Sequence, residues 1–286
     1  MLAVIGGSGV YDLEETRGEG EIFELVTPFG PPSGPVRKAR IGQHDILFLS
    51  RHGVGHIYSP TSVPYRANVF ALKELGATHL LSLSAVGSLR EEIPPRSLVV
   101  PAQIIDRTVY RERSFFESGV VAHVGIADPF CARLRAALGE AAEQARRPAQ
   151  RDGTYVCIEG PQFSTRAESN LYRSWGATVI GMTAMPEARL AREAGLCYAM
   201  LAMVTDYDVW HVSEEDVSVE VVSSNLQANS QSAREIVRQL IASGLPERRC
   251  TCKSALVHAI MTAPEQIPDQ AQTWIRVLAG DDPGPT

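Results

Sequence analysis

Thr205-Asp206-Tyr207-Asp208-Val209-Trp210 sets two carboxylates two residues apart, directly behind the apolar run Cys-Tyr-Ala-Met-Leu-Ala-Met-Val at 197–204. Such a run reads as a buried strand, and polar groups at the C-terminal end of a strand lie where α/β sheets bind ligands. Two acids facing one pocket can read a donor-and-acceptor pattern on a small molecule, or hold a proton between them. The same spacing suits a turn that caps the following helix, and the residues alone leave both readings open.

Other reactive residues recur at comparable places. Ser8 lies in Gly6-Gly7-Ser8-Gly9 behind the strand pattern Leu2–Ile5, and Arg51 and His52 follow Asp45–Ser50. Ser84 and Ala85 end the run that starts at His79, and Thr183 follows Thr178–Ile180. Hydroxyls, backbone N–H groups and a guanidinium together make an anion cradle, with Arg forking onto phosphate oxygens. Singly each is equally a turn or a cap, but strand ends converge on one crevice in an open α/β sheet.

The elements that must position these groups alternate. A Gly/Pro-rich connector at Thr27–Pro35 precedes the strand Asp45–Ser50, and strands are expected also at Ser97–Val100 and Thr154–Ile158. Helices are expected at Tyr65–Leu75, Pro129–Ala145, from the capping box Thr165-Arg166-Ala167-Glu168 to Trp175, from Pro186 to Gly195, and from about Val217 to Ala242. Strand-then-helix repetition predicts an α/β fold: a single domain over 1–280 with a central mixed, mostly parallel twisted sheet flanked by helices. Residues 245–265 read as a C-terminal extension carrying a Cys-x-Cys pair, and 281–286 as a loose tail.

Bulk composition excludes several classes. The chain has 286 residues, 44% hydrophobic and 21% charged, which suits a globular protein with a sizeable core. A net charge of -6 without a long basic run argues against a nucleic-acid surface. No apolar run reaches membrane-spanning length and the N-terminus lacks a leader pattern, so no membrane association and a cytoplasmic location are expected. Gly7-Ser8-Gly9 has Asp12 where a dinucleotide fingerprint needs its third glycine, and neither a Gly-x-x-x-x-Gly-Lys loop nor a Gly-x-Ser-x-Gly elbow occurs. His52 and His56 have the spacing of a metal pair, but Gly53 and Gly55 disfavour a helix and no third ligand is evident, so no metal is expected. Cys131, Cys157 and Cys197 stand singly in apolar settings as expected core thiols. Cys250-Thr251-Cys252 lacks the second Cys or His pair of a zinc site, leaving a structural or redox-sensitive cross-link as the alternative.

Taken in order, Gly6-Gly7-Ser8-Gly9, Arg51-His52-Gly53, Ser84-Ala85-Val86-Gly87-Ser88-Leu89, Ile158-Glu159-Gly160-Pro161-Gln162-Phe163, Gly181-Met182-Thr183-Ala184-Met185-Pro186-Glu187 and Thr205-Asp206-Tyr207-Asp208 resemble the motifs of the trimeric purine nucleoside phosphorylases. The resemblance runs from about Leu2 to at least Ile241, and within the family it leads to the branch that cleaves 5′-methylthioadenosine. It implies phosphorolysis of that nucleoside to adenine and 5-methylthioribose 1-phosphate, with phosphate as co-substrate and no cofactor, in a homotrimer or hexamer. It also implies that Ser8, Arg51, His52, Ser84, Ala85 and Thr183 hold phosphate and that Met182 lies against the ribose. Phe163 would pack on the purine, with Asp206, Tyr207 and Asp208 at the base edge. His123 would reach the 5′ end of a neighbouring subunit's substrate, and Ser164 and Val219 would shape the pocket. Residues 250–262 resemble the extension of archaeal-type members, in which paired cysteines form a stabilising bridge.

The implied chemistry agrees with the residue types. Departure of the base leaves negative charge at its N7, where a carboxylic acid raised by burial can donate a proton, and phosphate held beneath the ribose stabilises the developing cation. Adenine presents N7 as acceptor and its amino group as donor. Relatives that cleave inosine and guanosine carry Asn at the first acid, so Asp206 favours 6-aminopurines; Gly181 and Val86 depart from the Asn and Cys of the animal enzymes. Two alternatives remain at this level: a broader 6-aminopurine or 6-oxopurine phosphorylase, and a non-catalytic purine-binding protein that kept the fold.

Overall fold

A computed structural model describes residues 1–7, 20–211 and 219–280. Its centre is three strands with every residue buried or nearly so: β1 (Leu2–Gly6), β5 (His79–Ser88) and β11 (Cys197–Asp206). Continuous apolar runs of this kind belong to parallel strands covered on both faces. β1 lies parallel between β5 and β4 (His44–Ser50), and β11 runs parallel to β5 from Cys197 opposite His79 to Val204 opposite Val86. The far end of β5 turns to pair antiparallel with β10 (Val179–Gly181), which continues parallel into β9 (Thr154–Cys157) and then β7 (Gln103–Asp106). On its other edge β11 pairs antiparallel with β6 (Leu98–Val100), followed by β8 (Gln150–Arg151). An antiparallel ribbon of β3 (Val36–Ile41) and β2 (Glu21–Phe23) extends β4, completing a mixed sheet of 11 strands among the described residues.

Helices cover both faces. On one, α1 (Tyr65–Glu74), α4 (Ala184–Glu193) and α6 (Asp269–Ala279) bury Val69, Phe70, Ala188, Trp274 and Leu278 in a core shared with Ala3, Leu80 and Tyr198. On the other, α2 (Ala132–Gln144) and α5 (Val219–Ala242) bury Leu134, Leu138, Ile236 and Leu240 against Val4, Leu81 and Leu201. α3 (Arg166–Ser174) opens with the expected capping box, Thr165 accepting from the Glu168 N–H while the Glu168 carboxylate accepts from Thr165 N. None of the described helices is long and apolar enough to cross a membrane.

Three expectations change in detail. Pro129–Cys131 stay extended, so α2 starts at Ala132 with Cys131 as its N-cap. The strands β2, β3, β7 and β8 and helix α6 were not expected; the six residues of β3 bury only Val36 and Ala39, and its Arg37, Lys38 and Arg40 mask the strand pattern. Cys131 and Cys197, expected as separate core thiols, meet Cys250 and Cys252 with all four sulfurs within 4.8 Å of one another. The fold does this by joining the N-cap of α2 to the start of β11, the Cys131 N–H donating to Tyr198 O at 2.7 Å. Ser8 and the expected tail at 281–286 lie outside the described residues.

Candidate active site

β5 carries the site. Ser84 and Gly87 lie three residues apart along it, a span of roughly 10 Å, and two groups of side chains gather at these positions.

At Gly87 the partner strand β11 shifts register, passing from Val204 opposite Val86 to Asp206 opposite Gly87, so that Thr205 bulges out. The bulge is held from the helical side: Asn225 donates to Thr205 O and Asn229 to Val204 O, both at 2.8 Å. The shift aims Asp206 and Asp208 to one side and leaves each only 6% exposed. A Cβ on Gly87 would stand 2.8 Å from Asp206 Oδ1 and 3.3 Å from Asp208 Cβ, so only glycine lets the acids approach β5 this closely.

The two acids differ. Asp206 Oδ1 accepts the Asp208 N–H at 2.8 Å, and its Oδ2 lies 2.6 Å from Thr205 Oγ1. The single proton of the Thr205 hydroxyl can also go to Val86 O at 3.2 Å, in which case the short contact needs a proton on Asp206. Burial raises the Asp206 carboxyl, with Thr205 and the Asp208 N–H opposing. Burial also pushes Asp208 up to about 6, the Ser169 hydroxyl opposing and the Asp206 charge adding. Asp208 Oδ2 and the hydroxyl of Ser164 are buried without a well-formed hydrogen bond among the described residues, the Ser169 hydroxyl lying close enough to Asp208 to lower its pKa. Such orphans call for a ligand or water that supplies the missing bonds.

The second group surrounds Ser84. Ser84 Oγ and Thr183 Oγ1 are 3.2 Å apart, and Thr183 is the N-cap of α4. Arg51 is fully buried in a fork with Glu187, Nε to Oε2 at 2.8 Å and Nη2 to Oε1 at 3.3 Å. Its Nη2 also donates to Ser82 Oγ at 2.7 Å and its Nη1 to Leu83 O at 3.1 Å. Burial works against the Arg51 charge, but Glu187 outweighs it and raises the pKa. Gly7 faces Arg51 Nη1 and His52 Cδ2, each 3.9 Å from where its Cβ would be, so the end of β1 borders both side chains. His52 Nδ1 lies 2.9 Å from Tyr58 O, an acceptor, which fixes the proton on Nδ1 and leaves Nε2 with its lone pair. Burial and then the Arg51 charge push His52 down to about 4, so the ring is neutral near pH 7.

Long-range pairings hold both groups in place. Arg111 donates to Met182 O and Met185 O at 2.6 Å, to Tyr65 Oη at 3.2 Å, and to Glu159 Oε1 and O at 3.0 and 2.6 Å. It thereby ties loop 158–161 to the entry of α4. Burial opposes the Glu159 charge, yet bonds from Thr61, the Val109 and Tyr110 N–H groups and Arg111 together hold it at about 2. Gly160 lies against the Met182 thioether, 2.6 Å from Sδ to its would-be Cβ, and Gly181 makes room for the Tyr155 hydroxyl, 2.1 Å from its own. Glu187 and Glu159 stand inside quoted motifs but their pairing, like Arg111 itself, has no local signature, the partners lying 136 and 48 residues away.

The remaining expected residues are dispersed. Ala85 is half-buried between the two groups on β5, Met182 is half-buried and Phe163 is 43% exposed. Ser164 is buried just before the N-cap of α3. Tyr207, just past the end of β11, turns the other way, its hydroxyl donating to Glu91 O at 3.1 Å and its ring stacking on His211. His123 is exposed and joined to the C-terminal extension through its N–H to Ala259 O. Val219 opens α5, with its side chain outside the described residues. His52 and His56 stack face to face at 4.3 Å, an arrangement unlike a metal pair converging on one ion.

A fold with this sheet and these strand-end groups defines a class, and residues 1–242 match the family model of the phosphorylase superfamily; the chain belongs to that family. It is 48% identical over 281 residues to the S-methyl-5'-thioadenosine phosphorylase of Geobacter sulfurreducens, covering 98% of both chains. Among solved structures it resembles a methylthioadenosine phosphorylase from an Antarctic soil metagenomic library, with TM-score 0.89, 43% identity and coverage of 97% and 98%. It also resembles a variant of the adenosine/methylthioadenosine phosphorylase from Schistosoma mansoni in complex with methylthioadenosine, with TM-score 0.80, 37% identity and coverage of 85% and 90%.

Proposed function

We propose that this protein phosphorolyses 5′-methylthioadenosine to adenine and 5-methylthioribose 1-phosphate, in salvage of purine and methionine. The observation that carries the reading is the buried Asp206–Asp208 pair, both carboxyls raised, set roughly 10 Å along β5 from the Ser84, Thr183 and Arg51 group. The activity in the name of the Geobacter relative and the ligand of the Schistosoma structure support it.

Phosphate is held by the hydroxyls of Ser84 and Thr183, the Ala85 amide and Arg51, with Ser8 as a further ligand. Neutral His52 accepts a proton-bearing phosphate oxygen at Nε2, since its Nδ1–H is committed to Tyr58 O. The bound anion attacks C1′ of the ribose from below as the bond to the base breaks, and its charge balances the developing cation. Met182 lies along the ribose and Phe163 against the purine. At the base edge one carboxylic acid donates to N7 while the other, ionised, accepts from the 6-amino group. Asp208 Oδ2 is free to face the base, whereas both Asp206 oxygens already have protein partners. Phosphate supplies nucleophile and charge together, so the reaction needs no metal or organic cofactor.

The protein acts in the cytoplasm as a homotrimer, with His123 completing a neighbour's site; its exposed position on the C-terminal side supports a role across an interface. Light scattering on the purified protein is expected to give three chains per particle.

Incubation with phosphate and methylthioadenosine, adenosine, methylthioinosine or inosine, with detection of free base, tests the reaction. Asp206→Asn is expected to lower kcat/KM for methylthioadenosine by on the order of a hundredfold or more, because it removes one of the two carboxyls between which the proton and the charge at the base edge are divided. Unchanged kcat/KM in this variant, or base release without phosphate, sinks the assignment.

A further inference from the structure

Four cysteines that the proposed reaction does not use converge at the end of the sheet remote from Asp206. Cys197 is the first residue of β11 and Asp206 its last, so the cluster lies roughly 30 Å from the acid pair along that strand. Its members come from three separate parts of the chain: Cys131 at the N-cap of α2, Cys197 in the sheet, and Cys250 and Cys252 flanking Thr251 in the C-terminal extension. All four are free thiols and their sulfurs lie within 4.8 Å of one another, Cys197 and Cys250 being 3.4 Å apart.

We propose that Cys131, Cys197, Cys250 and Cys252 form a structural zinc site that fastens the C-terminal extension to the body of the domain. A tetrahedral Zn²⁺ with bonds of about 2.3 Å needs sulfurs about 3.8 Å apart, within the range the cluster already spans. Four sulfur donors in a compact tetrahedral set select zinc over the hard cations, which take oxygen ligands. No fifth position is offered: Cys131, Cys197 and Cys252 are buried and only Cys250 is partly exposed, the mark of a closed structural site.

The surroundings suit thiolates. Binding releases four protons, one from each thiol, and leaves Zn(SCys)₄ with a net charge of −2. Arg192 brings its guanidinium to 3.5 Å from Cys252 Sγ, and donates from Nη2 to Thr251 Oγ1 at 3.4 Å and from Nε to Gly125 O at 3.2 Å, so a cation is fixed beside the site. Cys131 sits where the free N–H groups of a helix start favour a negative sulfur. The scaffold is preformed: the Cys131 N–H bonds Tyr198 O, and the Ala255 N–H closes the turn on Cys252 O. A metal here locks together segments more than a hundred residues apart in sequence, which removes conformational freedom from the unfolded chain much as a cross-link does.

The test uses the full chain, produced in zinc-supplemented medium and purified under reductant without chelator. Elemental analysis is expected to give about one Zn²⁺ per chain, falling below about a tenth in Cys250→Ser and in Cys250→Ser/Cys252→Ser. Replacement by Co²⁺ is expected to give the strong visible ligand-field and near-ultraviolet charge-transfer bands of a tetrahedral tetrathiolate. Removing the metal from wild type with a chelator is expected to lower Tm by on the order of 5 °C, restored by adding Zn²⁺. Two outcomes overturn the proposal, and the wild-type measurements decide it even where a variant fails to fold. One is reduced wild-type protein that takes up no stoichiometric zinc; the other is metal-free protein whose mass after alkylation without reduction shows these cysteines bridged in pairs. Neither depends on the phosphorolysis assay, so metal content and the proposed reaction stand or fall separately.

Discussion

Asp208 is held in a state that suits proton donation and costs stability. Its carboxyl titrates at about 6 in the folded protein against 3.8 ordinarily, because burial and Asp206 disfavour its charge. Between those two values the folded state keeps a proton that the unfolded chain has released, so stability falls as pH rises through the window. At pH 7 the deficit is of the order of 3 kcal/mol. Asp208→Asn keeps the shape, tolerates the left-handed backbone at φ 54°, and removes the charge. It is expected to raise Tm at pH 7 by several degrees, to lose that advantage at pH 4, and to lower phosphorolysis at least a hundredfold. Thermal melts at the two pH values check this; an equal Tm difference at both means that the buried charge is not the cause.

At the scale of elements, the site depends on where β11 loses register with β5. Gly87→Ala tests that join: its methyl would stand 2.8 Å from Asp206 Oδ1 and 3.1 Å from Ile180 Cγ2, both on strands paired with β5. Such crowding costs about 1–3 kcal/mol and displaces the acids, while Ser84 and Thr183 lie beyond its reach. The expected result is a drop in kcat of tenfold or more with KM for phosphate within about twofold; a KM effect alone would place the damage at the anion group. The ends of β1 and β11 were legible because those strands are apolar runs closed by Gly or Asp, whereas β5 runs past the expected end at Ser84 to Ser88. The bulge at Thr205 was not legible, since Asn225 and Asn229 that support it lie 20 and 25 residues away. β3 went unseen because charged side chains interrupt its apolar pattern. The resemblance puts Tyr207 at the base edge with the two acids, and past the end of β11 its hydroxyl goes to Glu91 O.

Across the whole molecule, the anion group is welded by one buried ion pair between residues 136 apart. Arg51 follows β4 on the N-terminal side of the sheet and Glu187 belongs to α4, and both are almost completely buried, at 1% and 0% exposed. Tyr198 on β11 donates to the same carboxylate at 2.9 Å, so three elements meet on Glu187. A buried pair of this kind adds little net stability over apolar residues, but removing one partner strands the other charge. Glu187→Gln preserves a hydrogen bond to Arg51 Nε and cancels the compensating charge. It is expected to destabilise the phosphate-free protein by about 3 kcal/mol, lowering Tm by on the order of 5 °C. Phosphate bound at this site would then meet an uncompensated guanidinium beside neutral His52, so added phosphate should raise Tm of the variant by more than it raises wild type. Melts of both proteins across a phosphate titration, at constant ionic strength, separate the two contributions. If phosphate shifts the variant less than wild type, Glu187 serves to orient Arg51 for the anion, rather than to balance its charge while the site is empty.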